Sequence, residues 1–419
     1  MAGLTESEIV PAELIGPAST AQPMPKPAAS SGQSPFAPSS DTRYPIPDSR
    51  YPTDPRTLVS RTINVIASAA EWCFGAATLI VALAVAASIP VVQLLSLGYL
   101  LEASGRIART GKLRAGFVGV RKGARVGTLV VGTWMSLLPL RLLSTFWIAA
   151  RVIEPGSPES RLLGFATLGL AAVLAAHVLG AWARGGRLRH FLVPWNGPWL
   201  LVHIFRRGAY TRARDAVWTF VAGLRLPYYF SLGLRGFVGG FAWLVLPITL
   251  LALGTIAPLA GLLGGVLLGL VVMYLPFLQT HFAAQNRLGA IFELGTIRRL
   301  FLRAPVAFWF AMLTTLLFAV PLYLLMVEAV EQEVLWLPSL FFVVFIFPAR
   351  LLTGWAYARA ARREQPRWFG VRWLARLAFV PVAAAYVLIV FASQYTNWHG
   401  VWGLYEQHAF LVPAPFLGL

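Results

Sequence analysis

The sequence predicts an all-α fold: a polytopic transmembrane helix bundle of about eight crossings, with amphipathic interfacial helices on its cytoplasmic side. Three observations carry this. Apolar residues make up 57% of the 419-residue chain and charged residues 12%, with a mean hydropathy of +0.67, whereas a soluble domain carries about 25% charged residues. Apolar runs recur that are long enough to span a bilayer, about 20 residues at 1.5 Å each. The basic residues, finally, are concentrated in alternate connections between those runs.

Residues 1–58 are rich in Pro, Ser, Ala and Thr, as in GPASTAQPMPKPAASSGQSPFAPSSDTRYPIPDSRYPTDP. Too few large apolar side chains are present to offset the entropy of ordering, so this tail is expected to be disordered. It holds two RYP tripeptides, Arg43 to Pro45 and Arg50 to Pro52, which read as linker sequence. Residues 1–60 also lack the apolar core run of a signal peptide, so the first hydrophobic helix is expected to direct insertion.

Eight windows qualify as crossings: 74–98, 126–150, 162–182, 234–254, 258–280, 305–327, 334–357 and 377–394. The first is part of an apolar stretch running from Ile63 to Leu101, too long for one untilted helix, and Pro90 offers a point at which it folds into a hairpin. Helix is read as ending near Gly98-Tyr99, with a basic connection following. Prolines at 139, 247, 276, 321, 348 and 381 predict kinks inside later crossings.

Charge sets the orientation. Connections 102–125, 183–226, 281–304 and 358–376 carry seven, eight, four and six Lys/Arg; 151–161, 255–257 and 328–333 carry two, none and none. The first set is therefore expected to be cytoplasmic and the tail from Tyr395 extracytoplasmic. A hairpin at Pro90 keeps the N-terminal tail, with its four Lys/Arg, in the cytoplasm; it is the preferred reading, because a long tail without a signal peptide, with Arg56 and Arg61 near the membrane, is hard to translocate.

Two basic connections have helical periodicity. In residues 206–224, Ala209, Ala213, Ala216, Val217, Phe220, Val221 and Leu224 share one face, with Arg206, Arg207, Arg212 and Arg214 mostly elsewhere. Residues 286–303, with Leu288, Ile291, Phe292, Leu300, Phe301, Arg298 and Arg299, give a weaker version. Three pairs of segments echo one another: Pro90–Gln93 with Pro276–Gln279, GAWARGGR from Gly180 with GWAYARAAR from Gly354, and Pro227–Phe230 with Pro366–Phe369. Their separations, 186, about 174 and 139, disagree, so any repeat would be two parallel halves, 63–254 and 258–394, with uneven loops.

The net charge of +18 would suit nucleic acid, but 25 of the 35 Lys/Arg lie in the four cytoplasmic connections, so the expected partner is anionic membrane lipid and not nucleic acid. The single cysteine, Cys73, excludes an intrachain disulfide framework. No P-loop, GxGxxG after a strand, GxSxG or CxxC is present, and no cofactor or metal is predicted. Glycines 261, 265 and 269 have the four-residue spacing of close helix packing. Glu328, Glu331 and Glu333, and His399, Glu406 and His408 in the tail, form no metal-binding pattern.

Ionisable groups within a membrane are functional suspects by default. Arg350 and His177 lie within about two turns of cytoplasmic ends, where snorkelling suffices, and Arg235 is at an end. Arg141, deeper and just after Pro139, is the leading ligand-binding candidate, with Gln93 and Gln279 as polar residues inside crossings. Arg206, Arg207, Arg212, Arg214, Arg298 and Arg299 are candidate contacts to lipid headgroups.

An apolar helix with Pro90 and Gly98-Tyr99, an Arg-rich loop and a Gly-rich helix entry (Gly119, Gly123, Gly127) resembles bacterial multi-pass membrane proteins that are themselves uncharacterised. These are distantly similar to the membrane domain attached to some glycerophosphodiester phosphodiesterases. The resemblance covers about 60 residues and implies a bacterial inner membrane; it brings no catalytic residues, because no soluble phosphodiesterase segment is present. Three function classes follow, in order of support: a non-enzymatic protein that binds or organises anionic lipid, a transporter of a small anionic or amphipathic solute through Arg141, and an intramembrane enzyme.

Overall fold

A computed structural model describes residues 55–193, 208–324, 336–396 and 400–406, together with 196, 198, 199 and 202. The expected disorder and RYP tripeptides of the N-terminal tail, the Glu328, Glu331 and Glu333 group, His399 and His408 lie outside the described residues, as does the side chain of Glu406. Residues Ser60–Leu419 form one compact unit, separate from Met1–Val59.

The described residues form helices and turns, without a strand. The main helices are α1 (Pro55–Ala87), α2 (Gln93–Thr110), α3 (Val120–Ile153), α4 (Pro158–Ala183), the short α5 (Leu188–Leu192) and α6 (Ala209–Leu224). They continue with α7 (Leu226–Ala252), α8 (Pro258–Gln285), α9 (Leu294–Arg303), α10 (Pro305–Leu324), α11 (Trp336–Ala361) and α12 (Phe369–Thr396). Seven helical stretches are long and apolar enough to cross a membrane, or eight if the bent pair α9 and α10 is one span. The all-α, multi-pass architecture is thus as expected, and this is an integral membrane protein by the length and composition of its helices.

The Pro90 region is where the chain turns. Helix α1 stops at Ala87, and Val91 adopts φ 69°, a left-handed conformation that a β-branched residue adopts only where the surrounding structure enforces it. The Ser96 hydroxyl then donates to the Leu83 carbonyl at 2.6 Å, so α2 returns alongside α1. Helix does not end at Gly98-Tyr99 as the sequence suggested: it runs to Thr110 and is closed by Gly111 at φ 69°, whose N–H reaches the Ile107 carbonyl. Residues 102–110 are therefore helix, buried as far as Ala108 except at Arg106, and not connection.

Helix α2 is the centre of the bundle. It packs against α7, α8 and α11, and Leu97, Leu100, Leu101, Ala103 and Ile107 are at most 2% exposed. Gly98 and Gly233 make the α2–α7 crossing possible: a Cβ on Gly98 would run into the Tyr229 carbonyl, and one on Gly233 into that of Leu94. Of the small-residue series in α8, Gly261 meets Gly254, while Gly265 and Gly269 face Val387 of α12.

Two departures from a plain bundle position the polar face. Helix α9 meets α10 at 113° across Ala304-Pro305; it buries Ile297 and Leu300 and leaves Arg298 and Arg299 exposed. Helix α6 passes into α7 through Arg225, so that Arg214–Thr255 forms one 42-residue apolar helical stretch. At about 63 Å this is roughly twice a hydrocarbon core, so its ends extend beyond one crossing. Val217, Trp218 and Val221 of α6 are 63%, 73% and 43% exposed, whereas Phe220 and Leu224 of its apolar face are half-buried. Helices α3 and α4 pack on each other, yet only 11% of each one's most apolar window is buried.

Candidate functional site

Glu102, at 3% exposure, is the best-buried acid among the described residues, and α2 supplies most of its neutralisation. Arg106 Nε lies 2.7 Å and Arg109 Nη2 3.0 Å from Glu102 Oε1; positions i, i+4 and i+7 share a helix face. The Tyr228 hydroxyl of α7 donates to Oε2 at 2.8 Å. Arg109 also donates through Nη1 to the carbonyls of Ala283 and Ala284, at 2.8 and 3.2 Å, satisfying orphan acceptors in the last turn of α8. One carboxylate thereby ties three helices.

A second polar cluster joins α8 to α11. Arg350, 3% exposed, donates to Gln279 Oε1 at 2.6 Å, and the Thr280 hydroxyl reaches that of Thr353 at 3.3 Å. His281 Nδ1 is 2.8 Å from the Tyr357 hydroxyl, and its Nε2 is 2.9 Å from Glu293 Oε2. A neutral imidazole that donates at Nε2 accepts the tyrosine proton at Nδ1, so both ring nitrogens are satisfied. Arg287 pairs with the other oxygen of Glu293. The His281 hydrogen bond, then the Arg287 charge, hold the Glu293 carboxyl below its usual range. The sign follows: a lowered carboxyl pKa contributes stability above the ordinary carboxylate range, and this is lost as pH falls through the lowered value. Glu293→Gln is expected to reduce the acid sensitivity of thermal unfolding, measured in detergent from about pH 3 to about pH 7.

The residues singled out in the sequence fall in different places. Gln279 is fully buried, but its partner is Arg350, which the sequence placed close enough to a helix end to snorkel; burial and pairing replace snorkelling there. Gln93 is 7% exposed at the start of α2. Arg141 is on the exposed side of α3 and lines none of the three principal clefts. Arg235 donates to Asn286 Oδ1 at 2.9 Å, and His177 Nε2 is 3.0 Å from the Phe191 carbonyl. Arg214 pairs with Asp215 at the surface, whereas Arg298 and Arg299 have no acidic partner among the described residues. Arg206, Arg207 and the side chain of Arg212 lie outside the described residues.

Sequence reasoning missed Glu102. Its signal was present: Glu, Arg and Arg at spacings of four and three, directly continuing an apolar helix. Among the described residues no group of three His, Cys, Asp or Glu is placed to hold a metal ion.

Three clefts complete the site. An apolar one of about 660 Å³ lies between α8 and α12, beside Gly265 and Val387. A basic one of about 620 Å³ is lined by Arg121, Lys122, Arg125 and Arg187 with Glu71 and Phe220. Another, of about 490 Å³, is lined by Arg359, Arg363 and Arg367 with Trp309, Trp355 and Phe310. In that last cleft the Arg359 guanidinium sits 5.5 Å over the Trp355 ring, and Arg363 reaches the Arg303 carbonyl at 3.4 Å. Burial, with the like charges of Arg367 and Arg359, pushes the Arg363 pKa down. None of the three arginines has an ion-pair partner among the described residues. Comparison of the chain with protein-family models, curated proteins and solved structures finds no match.

Proposed function

We propose that this membrane protein binds anionic lipid headgroups at the cytoplasmic leaflet of a bacterial inner membrane, as a non-enzymatic binder or organiser of lipid. The observation that carries the reading is the cleft of Arg359, Arg363 and Arg367, cationic, lined by tryptophan and without a carboxylate. Basic pockets between membrane helices suit headgroup phosphates, and indole rings prefer the headgroup level. Support also comes from α9, bent across the axis of α10 with Arg298 and Arg299 outward, and from exposed Val217, Trp218 and Val221 of α6. The resemblance of residues 90–127 to bacterial multi-pass proteins agrees with that location.

Native mass spectrometry of the protein in neutral detergent tests the reading. Phosphatidylglycerol should be retained over phosphatidylcholine, and raising ionic strength should weaken the preference. Equal retention of the two lipids sinks it.

The same reading fixes sides. In a Cys73→Ser background, cysteines at Arg114 and in the N-terminal tail should react with an impermeant thiol reagent only from the cytoplasm, and one at Trp402 only from outside. Labelling of the tail from outside would overturn the hairpin topology.

A further inference from the structure

One echo noted in the sequence, that of GAWARGGR with GWAYARAAR, gains a second and matching register once the backbone is considered. Gly111-Lys-Leu-Arg-Ala-Gly-Phe117 follows α2, and Asn286-Arg-Leu-Gly-Ala-Ile-Phe292 follows α8, at an offset of 175. Gly111 and Asn286 both cap in the left-handed region, at φ 69° and 53°. Lys112 and Arg287 are both extended, and each opens a 3₁₀ turn, Leu113–Gly116 and Leu288–Phe292. The bonds correspond as well: Ala115 N–H to Lys112 carbonyl and Ala290 N–H to Arg287 carbonyl, each 3.0 Å. At the ends of α4 and α11, Ala183-Arg-Gly-Gly-Arg187 and Ala358-Arg-Ala-Ala-Arg362 stand at the same offset of 175. Helices α2–α4 and α8–α11, with α9 and α10 counted as one, thus stand in a single register as two successive units. Offsets of 186 and 139 do not belong to this register.

This register pairs Arg184 with Arg359, Gly132 with Ala307 and Trp134 with Trp309. In the first unit the cleft between helices three and four is filled by the chain itself. Phe191 lies where a Cβ on Gly132 would be, and Asn196, fully buried, presses on Gly180. Arg184 Nη1 donates to Asn196 Oδ1 at 2.7 Å. In the second unit the residues in register with Phe191 and Asn196 are Pro366 and Val371. The counterpart cleft, about 490 Å³, stays open, and among the described residues Arg359 has no side-chain oxygen partner and the buried indole N–H of Trp309 no acceptor.

We infer that the open cleft at Arg359, Arg363 and Arg367 is a site for a lipid with a multiply charged phosphate headgroup, a phosphomonoester or diphosphate. Its oxygens take the place that Asn196 fills in the first unit. Three guanidiniums offer more donors and charge than a phosphodiester uses, which favours the dianionic group. Val306, Phe310 and Val371 on the cleft wall accommodate the start of an apolar tail. The inference rests on the lipid reading above and narrows it to one cleft and one headgroup chemistry.

The test is lipid binding by native mass spectrometry, with the full chain in neutral detergent. It compares phosphatidic acid, phosphatidylglycerol, phosphatidylcholine and inorganic phosphate. The variants are Arg359→Gln/Arg363→Gln/Arg367→Gln and, as a control, Arg151→Gln/Arg161→Gln flanking the exposed turn between α3 and α4. Phosphatidic acid should bind about tenfold more tightly than phosphatidylglycerol, a preference lost in the cleft variant and kept in the control variant; one decade corresponds to 1.4 kcal/mol. A cleft variant that retains the preference refutes the site while leaving general anionic lipid binding intact. Equal affinity for the two anionic lipids refutes the dianionic headgroup. Competition by inorganic phosphate at equal concentration refutes a lipid as the ligand. Failure of either anionic lipid to exceed phosphatidylcholine refutes both this site and the broader reading.

Discussion

Glu102→Leu should destabilise the protein by about 2–4 kcal/mol, below the top of the range for breaking a buried ion pair. The discount comes from Arg106 and Arg109, whose side chains are 36% and 40% exposed and can turn toward water once the carboxylate is gone. Tyr228 fares worse, since its hydroxyl loses its acceptor. Thermal unfolding in detergent measures the loss. A double variant, Glu102→Leu with Arg106→Leu, should recover part of it, because a charge without a partner costs more than an apolar pair. If Glu102→Leu melts like the wild type, the network contributes nothing to stability.

Gly98→Leu should have a still larger effect, preventing native packing. The crossing of α2 and α7 leaves no room for even a Cβ at this position. Gly98→Ala should cost at least the usual penalty for overpacking, about 1–3 kcal/mol, because the obstacle is backbone and cannot rotate away. Gly289→Ala is the control, as nothing lies within 4 Å of a Cβ there. Size-exclusion profiles and melting curves report the outcome; equal behaviour of Gly98→Ala and Gly289→Ala would rule out the close crossing.

The number and place of most crossings were legible in the sequence because hydropathy reports directly on the solvent around a helix. The turn at Pro90 was legible from one proline in an overlong apolar run. What hydropathy hid was α2 beyond Leu101. Glu102, Arg106 and Arg109 lower its average as loop charges would, but their cost is met by partners on the same helix and by Tyr228, 126 positions away. Arg350 was misjudged for the same reason: depth along a helix says nothing about a glutamine on a neighbour, and Gln279 is 71 residues distant. The outward placement of Arg298 and Arg299 on α9 was legible from periodicity. The cleft on α11 was not, since its vacancy depends on what Pro366 and Val371 fail to fill.

The central position of α2 also has a consequence for the order of synthesis. Its neighbours α7, α8 and α11 all lie later in the chain, and α11 ends at Ala361. At about 5–20 residues per second, α2 waits on the order of tens of seconds for its last neighbour. During that wait the charged end of α2 lacks both the Tyr228 hydroxyl and the carbonyls of Ala283 and Ala284. The local pairing of Glu102 with Arg106 and Arg109 supplies neutralisation that needs no later segment. The same three residues that tie the finished bundle together thus neutralise one another before the later helices are made.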